Sequence, residues 1–355
     1  MRRAAALGRA MRIVRVLWIS VLATGIAAAQ EKPAAKPHDM EHMQHSHDGF
    51  MQGGMHHAVA KGVLLQQSDD GQTITLRIGP LNLPAHTSHM KMPQPADLIW
   101  KIPISGWLLA YHPKLVDASG NTVPGIVLHH VAFWNENRPD FLCANKEEHI
   151  FGAGGELTDW AEMPGFGYRV EQGDKIRVET MVHNPTDTAY PQAYLEVAVP
   201  YRDTSGTPVK NVYPAWMDVT ACGNSGYDLP AGESEKTGEV RLKYSGVLLG
   251  VGGHMHDYAK RIVLEDATQK ATVATLDAKV DEQGHLVGMP VKTFLEEGGY
   301  KLAAGDELKM TASYDNTTGK VLRDGAMGIV VGYFVPADDA AVAGLRRKAQ
   351  AVAKR

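Results

Sequence analysis

From residue 62 to residue 336 short runs of β-branched and apolar residues are broken, roughly every ten residues, by Gly, Pro, Asn, Asp or Ser. That punctuation leaves little room for a long helix. GVLLQQSDDGQTITLRIG, residues 62 to 79, predicts a hairpin around Asp-Asp-Gly, and LLAYHPKLVDASGNTVPGIVLHHVAFW predicts two more strands around Ser-Gly-Asn. GYRVEQGDKIRVETMVHNPT and AYLEVAVPYRD continue the series. The expected fold class is therefore all-β, a sandwich or jelly roll. NSGYDLPAGE, residues 224 to 233, interrupts the strands before a fresh series begins, so one domain is expected over 61–226 and a second over 227–337. The terminal 338–355 segment carries acids first and bases last, compatible with a short helix or a tail.

The first 29 residues have a different character. Arginines at 2, 3, 9, 12 and 15 precede the apolar run from Val16 to Ile26 and three alanines, the pattern of a cleavable export signal. A periplasmic or secreted location follows as an expectation, with no permanent membrane span once the signal is cut, the alternative being an uncleaved anchor. Its removal leaves 31 basic against 40 acidic residues, a net charge of −9 that argues against a nucleic-acid partner. Only Cys143 and Cys222 are present. In an oxidising compartment they predict one disulfide, the alternative being two free buried thiols.

Residues 30–60 lack apolar periodicity and are crowded with His and Met, His42, His45, His47, His56 and His57 among them. The composition predicts a disordered tether. Imidazole suits Cu(II) and thioether suits Cu(I), so the mixture points to copper more than zinc, against the plainer reading of a hydrophilic linker. His86, His89, Met90 and Met92 in PAHTSHMKMP form another soft cluster, either a receiver of copper from the tether or ordinary loop residues.

Three further places could hold a metal. On a strand His254 and His256 of GGHMHDYAK would project from one face with Met255 on the other, a metal clamp or two polar residues on a solvated face. His129 and His130 are adjacent, so they can share an ion only where the strand bulges or twists or where they use different ring nitrogens; His183 could complete a three-imidazole site if its strand is a neighbour. Met327 opens an apolar strand and could join His254 and His256, although a lone methionine there is usually core filler; Met310 is an alternative donor. No G-x-S-x-G, G-x-G-x-x-G or P-loop pattern is present, which argues against a nucleophile elbow or nucleotide chemistry.

In order along the chain, His129-His130, VHNPT around His183, His254-Met-His256 and Met327 ahead of a hydrophobic strand resemble the copper type II, ascorbate-dependent monooxygenases, the family of peptidylglycine α-hydroxylating and dopamine β-monooxygenases. EMPGFGYRVEQGDKIRVETMVH, LPAGE and SYDNTTG extend the similarity over about residues 90 to 336. The resemblance implies two consecutive jelly-roll-like domains holding two copper ions in separate sites across a solvent-filled cleft. His129, His130 and His183 would bind an electron-transfer copper, and His254, His256 and Met327 the copper where oxygen reacts. An ascorbate-like reductant, O2 and a small organic substrate hydroxylated at an activated C–H bond are implied with them, and a copper donor protein is a possible partner.

Departures restrict the substrate. The peptide-amidating relatives place Arg where this chain has Gly252, and Asn and Tyr where it has Ile329 and Val331; those groups hold a peptide carboxylate. The Cys after the family's methionine is Gly328 here, and at most the Cys143–Cys222 bridge remains of its disulfides. The alternative function is a non-catalytic copper-binding or copper-delivery protein on the same scaffold. A zinc-loaded structural module explains the methionine poorly.

Overall fold

A computed structural model describes residues 58–344. The expected leader and most of the His/Met-rich segment, with His42, His45, His47, His56 and His57, lie outside the described residues. The chain is all-β, as its turn punctuation requires. Where sequence predicted a hairpin at residues 69–71, Leu64–Asp69 pairs antiparallel with Thr73–Leu83. Asp70 closes the turn by accepting the Gln72 and Thr73 N–H groups at 2.9 and 2.7 Å.

The Ser-Gly-Asn turn behaves differently. Asp117 caps it by accepting from Ser119 and Asn121, yet the strands either side belong to different sheets. His112–Asp117 pairs with Tyr190–Asp203, whereas Leu128–Pro139 pairs with Lys175–Val182 and Glu147–Gly154. Pro124 and a 3-10 turn at Gly125–Val127 carry the chain across. Ile74, Leu76, Leu195 and Val197 from the first sheet share a core with Val131, Phe133, Ile176 and Val178 from the second. Two half-buried sheets thus close a sandwich.

A second core lies in the C-terminal half. Glu307–Asn316 alternates partly exposed and buried residues throughout, sending Leu308, Met310, Ala312 and Tyr314 inward. Its sheet runs in the order Gly232–Arg241, Glu307–Asn316, Ala259–Asp266, Ala271–Asp277. The facing sheet is built around Gly246–Met255 and Gly328–Pro336, with Tyr213–Asp218 beside the latter. Tyr213–Asp218 therefore joins the C-terminal sheet although it precedes NSGYDLPAGE in sequence.

Gly328–Pro336 is buried nearly throughout because both its faces meet a core. Ile329, Val331 and Tyr333 enter the first core, while Val330 and Phe334 enter the second. A two-residue period and two apolar partners explain why this strand reads as unbroken hydrophobic sequence. His254 is in register with Ile329, so its side chain shares the face turned toward the first sandwich. Met255 points the other way, into the second core. That sheet brings distant histidines together.

Each half also carries the same asparagine turn. Asn184 donates to the Leu83 and Thr188 carbonyls and accepts from the Thr186 N–H and hydroxyl. Asn316 does likewise with the Pro230 and Lys320 carbonyls and with Thr318. Both asparagines are almost fully buried. Cys143 and Cys222 are disulfide-bonded with Cα atoms 5.6 Å apart. Residues 339–344 form a short helix, and among the described residues no helix is long and apolar enough to cross a membrane.

Candidate metal centre

The adjacent pair His129-His130 sits on a bulge. In the ladder with Lys175–Val182, Leu128 pairs with Val182 and His130 with the very next position, Met181, leaving His129 as the extra residue. His130 is buried with Nε2 3.6 Å from Glu179 Oε1. The His129 ring lies 5.3 Å from His130, 5.3 Å from His183, 4.8 Å from His256 and 4.5 Å from His89, centroid to centroid. His183 stands one residue past the strand that pairs with Leu128, and its N–H donates to the Val127 carbonyl at 3.0 Å.

His254 and His256 have ring centroids 5.6 Å apart. Glu156, completely buried, accepts at Oε1 from His254 Nδ1 and from the Gly154 N–H, each at 2.9 Å. Burial raises the Glu156 pKa, but the charge and hydrogen bond of His254 and the backbone N–H outweigh it and leave the carboxyl below its ordinary range. The bond places the His254 proton on Nδ1 and leaves the Nε2 lone pair available to a metal. Gly154 is obligatory here: a Cβ would lie 2.6 Å from Glu156 Oε2 and 2.8 Å from His254 Cε1.

The side chains sort into two groups that differ from the sets implied by resemblance. His89, His129, His183 and His256 line one cavity of about 420 Å³, with Met90, Tyr258, Leu286 and Leu322 among its other walls. His130 and His254 instead line a small space with Ile329 and Trp216. In place of the two separated sets expected, one ring from each half, His129 and His256, meet at the large cavity.

Met327 is 2% exposed and packs in the first core. Its backbone is tied to that of His256 through one phenol: the Tyr314 hydroxyl accepts from the His256 and Met327 N–H groups at 3.0 and 3.1 Å and donates to the Met327 carbonyl. Since Met255 pairs with Gly328, Met327 stands opposite His256 in register, while the residues lining the large cavity do not include it. Met310 is fully buried in the second core. In the PAHTSHMKMP loop the expected cluster is dispersed: His86 projects outward and reaches Asp187 at 3.0 Å, and Met92 enters the first core. His89 and the 43% exposed Met90 face the large cavity.

Among the described residues no three His, Cys, Asp or Glu donors already converge on one point; the imidazoles meet edge to face. The donor set nevertheless fits a late transition metal. His129 Nδ1 and His256 Nε2 are buried without a hydrogen-bond partner, a costly state for polar nitrogens that a metal would relieve. Burial, reinforced by neighbouring imidazoles, holds both rings well below the usual histidine range, so they are neutral and their lone pairs are available. Burial lowers His183 too.

Sequence reasoning missed the carboxylates. Glu156 lies in GAGGELTDW and Glu179 in RVETMVH, and neither stretch separates a histidine-orienting acid from an ordinary surface acid. His149, in contrast, is a buried ring between Trp134 and Trp216, at 3.8 and 3.4 Å.

No protein-family model matches the chain. Over 239 residues it is 29% identical to a probable copper-dependent oxygenase of Phoma sp., an overlap covering 59% of this chain and 58% of that protein. Over 235 residues it is 29% identical to a probable copper-dependent oxygenase of Cochliobolus lunatus, covering 59% of this chain and 72% of that one. The chain thus spans less than two thirds of the Phoma protein's length. Among solved structures, a glycosylasparaginase of Flavobacterium meningosepticum overlaps 74% of this chain and 96% of its own at 11% identity and a TM-score of 0.38. The major capsid protein P2 of bacteriophage PM2 overlaps 73% and 97% at 12% identity and a TM-score of 0.31. Structural overlaps this loose say nothing about the site.

Proposed function

We propose that this protein is a copper-dependent oxygenase that uses O2 and a one-electron reductant such as ascorbate to hydroxylate a small organic molecule. One observation carries the reading: half-buried imidazoles from segments distant in sequence surround one cavity, with buried donor nitrogens of His129 and His256 left without hydrogen bonds. Similarity to two proteins named probable copper-dependent oxygenases supports copper and oxygenase chemistry. His129, His183 and His256 would hold copper at the cavity, with His130 and His254 as supporting donors and Met327 as the soft ligand that the family resemblance adds. When bound, copper supplies one-electron chemistry toward O2.

The chain's own residues orient and enclose. Glu156 keeps the His254 proton on Nδ1, and Glu179 stands behind His130. Leu128, Leu286 and Leu322 make the cavity wall partly apolar, suited to a compact organic substrate, with Arg323 and Asp324 as polar groups in the same wall. A peptide carboxylate is a poor candidate. A Cβ on Gly252 would meet Trp160 at 2.9 Å, and Ile329 and Val331 are core residues, so no anchor for it stands at those three positions. The disulfide supports an exported, oxidising setting.

A copper-delivery role is the second reading, favoured by the exposed thioether of Met90 beside His89 at the cavity. The test loads the full chain with copper, supplies ascorbate and a panel of small substrates, and measures hydroxylated product against oxygen consumed. Product that disappears in His183→Ala and His256→Ala supports the oxygenase. Tight copper binding with oxygen uptake but no product from any substrate favours delivery, because free copper and ascorbate also consume oxygen.

A further inference from the structure

We infer that His89 is a metal-binding side chain of the same centre, so that four imidazoles, His89, His129, His183 and His256, share the ion or ions held in the large cavity. The inference rests on the copper-centre reading above. It adds a residue that the type II monooxygenase resemblance does not supply, and it joins rings that the resemblance assigns to separate ions.

Proximity is the first support. The His89 centroid lies 4.5 Å from that of His129, nearer than His256 at 4.8 Å or His183 at 5.3 Å. His89 also lines the cavity that those three rings line. Proximity alone could be a chance of loop packing.

The way the loop is held argues otherwise. Thr87 and Asn184 exchange two backbone hydrogen bonds of 2.8 Å, fastening the approach to His89 to the residue after His183. Gln94, buried at 7% exposure, then ties the other side. Its Nε2 stands within hydrogen-bond distance of the His89, Met92 and Val182 carbonyls, at 3.0, 3.2 and 2.9 Å, which share its two N–H groups, and its Oε1 accepts the Val182 N–H at 2.8 Å. One amide therefore links the His89 carbonyl to the residue before His183. Val182 in turn pairs with Leu128, the residue before His129. Three histidine-bearing segments form one hydrogen-bonded unit, which is how a side chain on a short 3-10 turn acquires a fixed position.

The other donors point the same way. His130 and His254 face carboxylates and the smaller space behind, so the cavity side of the centre is furnished by His129, His183 and His256, and His89 completes it from the rim. His86, three residues earlier, is turned outward to Asp187 and serves as an internal control.

The experiment uses the full chain and Cu(II). Histidine carbethoxylation is quantified residue by residue by mass spectrometry, with and without one equivalent of Cu(II), which requires no substitution. The expected result is protection of His89 together with His183 and His256, while His86 labels equally in both states. In parallel, His89→Ala and His89→Gln, made in full-length protein whose His38, His42, His45, His47, His56 and His57 are replaced by Ala, should bind Cu(II) at least about tenfold more weakly than the parent. Circular dichroism checks that each variant is folded. Protection of His183 and His256 with His89 still fully reactive overturns the inference but leaves the copper centre standing. No protection of any of these rings, and no tight copper in the parent, overturns both.

Discussion

Replacing Glu156 by Gln probes whether the carboxylate behind His254 tunes a metal centre or merely fills space. Oε1 already takes two N–H groups, from His254 and Gly154, so the glutamine must place its carbonyl oxygen there. Its NH2 then occupies the position of Oε2, which is buried and has no hydrogen-bond partner. A new buried donor without an acceptor costs about 1–3 kcal/mol of stability. The lost negative charge also makes His254 a poorer donor, and loss of such an orienting carboxylate weakens metal affinity about 10- to 100-fold, or roughly 1.4–2.7 kcal/mol. Competition titration of the tightest copper against a chelator measures the second quantity, and urea unfolding of the metal-free protein measures the first. A stability loss with unchanged copper affinity would show that Glu156 supports the fold and not the metal. No change in either would refute the reasoning outright.

Three other outcomes follow from the same structure. Asp140 is 3% exposed, and burial pushes its pKa from 3.8 up to about 7 despite the Cys143 N–H that favours the charged form. The native state therefore keeps a proton that the unfolded chain has released, so stability falls as pH rises from about 4 to 7, by up to about 4 kcal/mol. Asp140→Asn retains an acceptor for the Leu142 and Cys143 N–H groups and should flatten that slope; parallel unfolding curves at pH 5 and 8 that keep the same difference for both proteins would contradict it. Removing the disulfide by Cys143→Ser and Cys222→Ser, which frees a 79-residue separation, should cost roughly 4 kcal/mol in denaturant unfolding. Gly252→Arg should destabilise by about 1–3 kcal/mol, since its Cβ meets Trp160, without creating affinity for a glycine-ended peptide in a binding titration.

Much of the fold could be read from local chemistry. The Asp-Asp-Gly turn, the alternation in ELKMTASYDN and the both-sides-buried GIVVGYFVP depend on nearest neighbours and on a two-residue period. The Ser-Gly-Asn turn misled because its capping is local, whereas the choice of sheet depends on distant pairings, with Tyr190–Asp203 on one side and with Lys175–Val182 on the other. Histidines were recognisable as a set, and adjacency at 129 and 130 did signal the need for a bulge. Their grouping was not recognisable, because it depends on a C-terminal sheet turning the His254 face toward the first sandwich. Glu156, Glu179, Gln94 and Tyr314 each also bind a partner 13 to 98 residues distant, beyond the reach of spacing arguments. His89 was visible only as part of a soft cluster of which Met90 also faces the cavity, while His86 and Met92 point elsewhere.

On the proposed reading, imidazoles from both halves of the chain hold copper at one cavity. Anomalous diffraction at the copper absorption edge, from crystals of the full chain loaded with copper, tests it most directly. Density is expected between the rings of His129, His183 and His256. Copper found only elsewhere, with the His129, His183 and His256 rings unliganded, would overturn that reading.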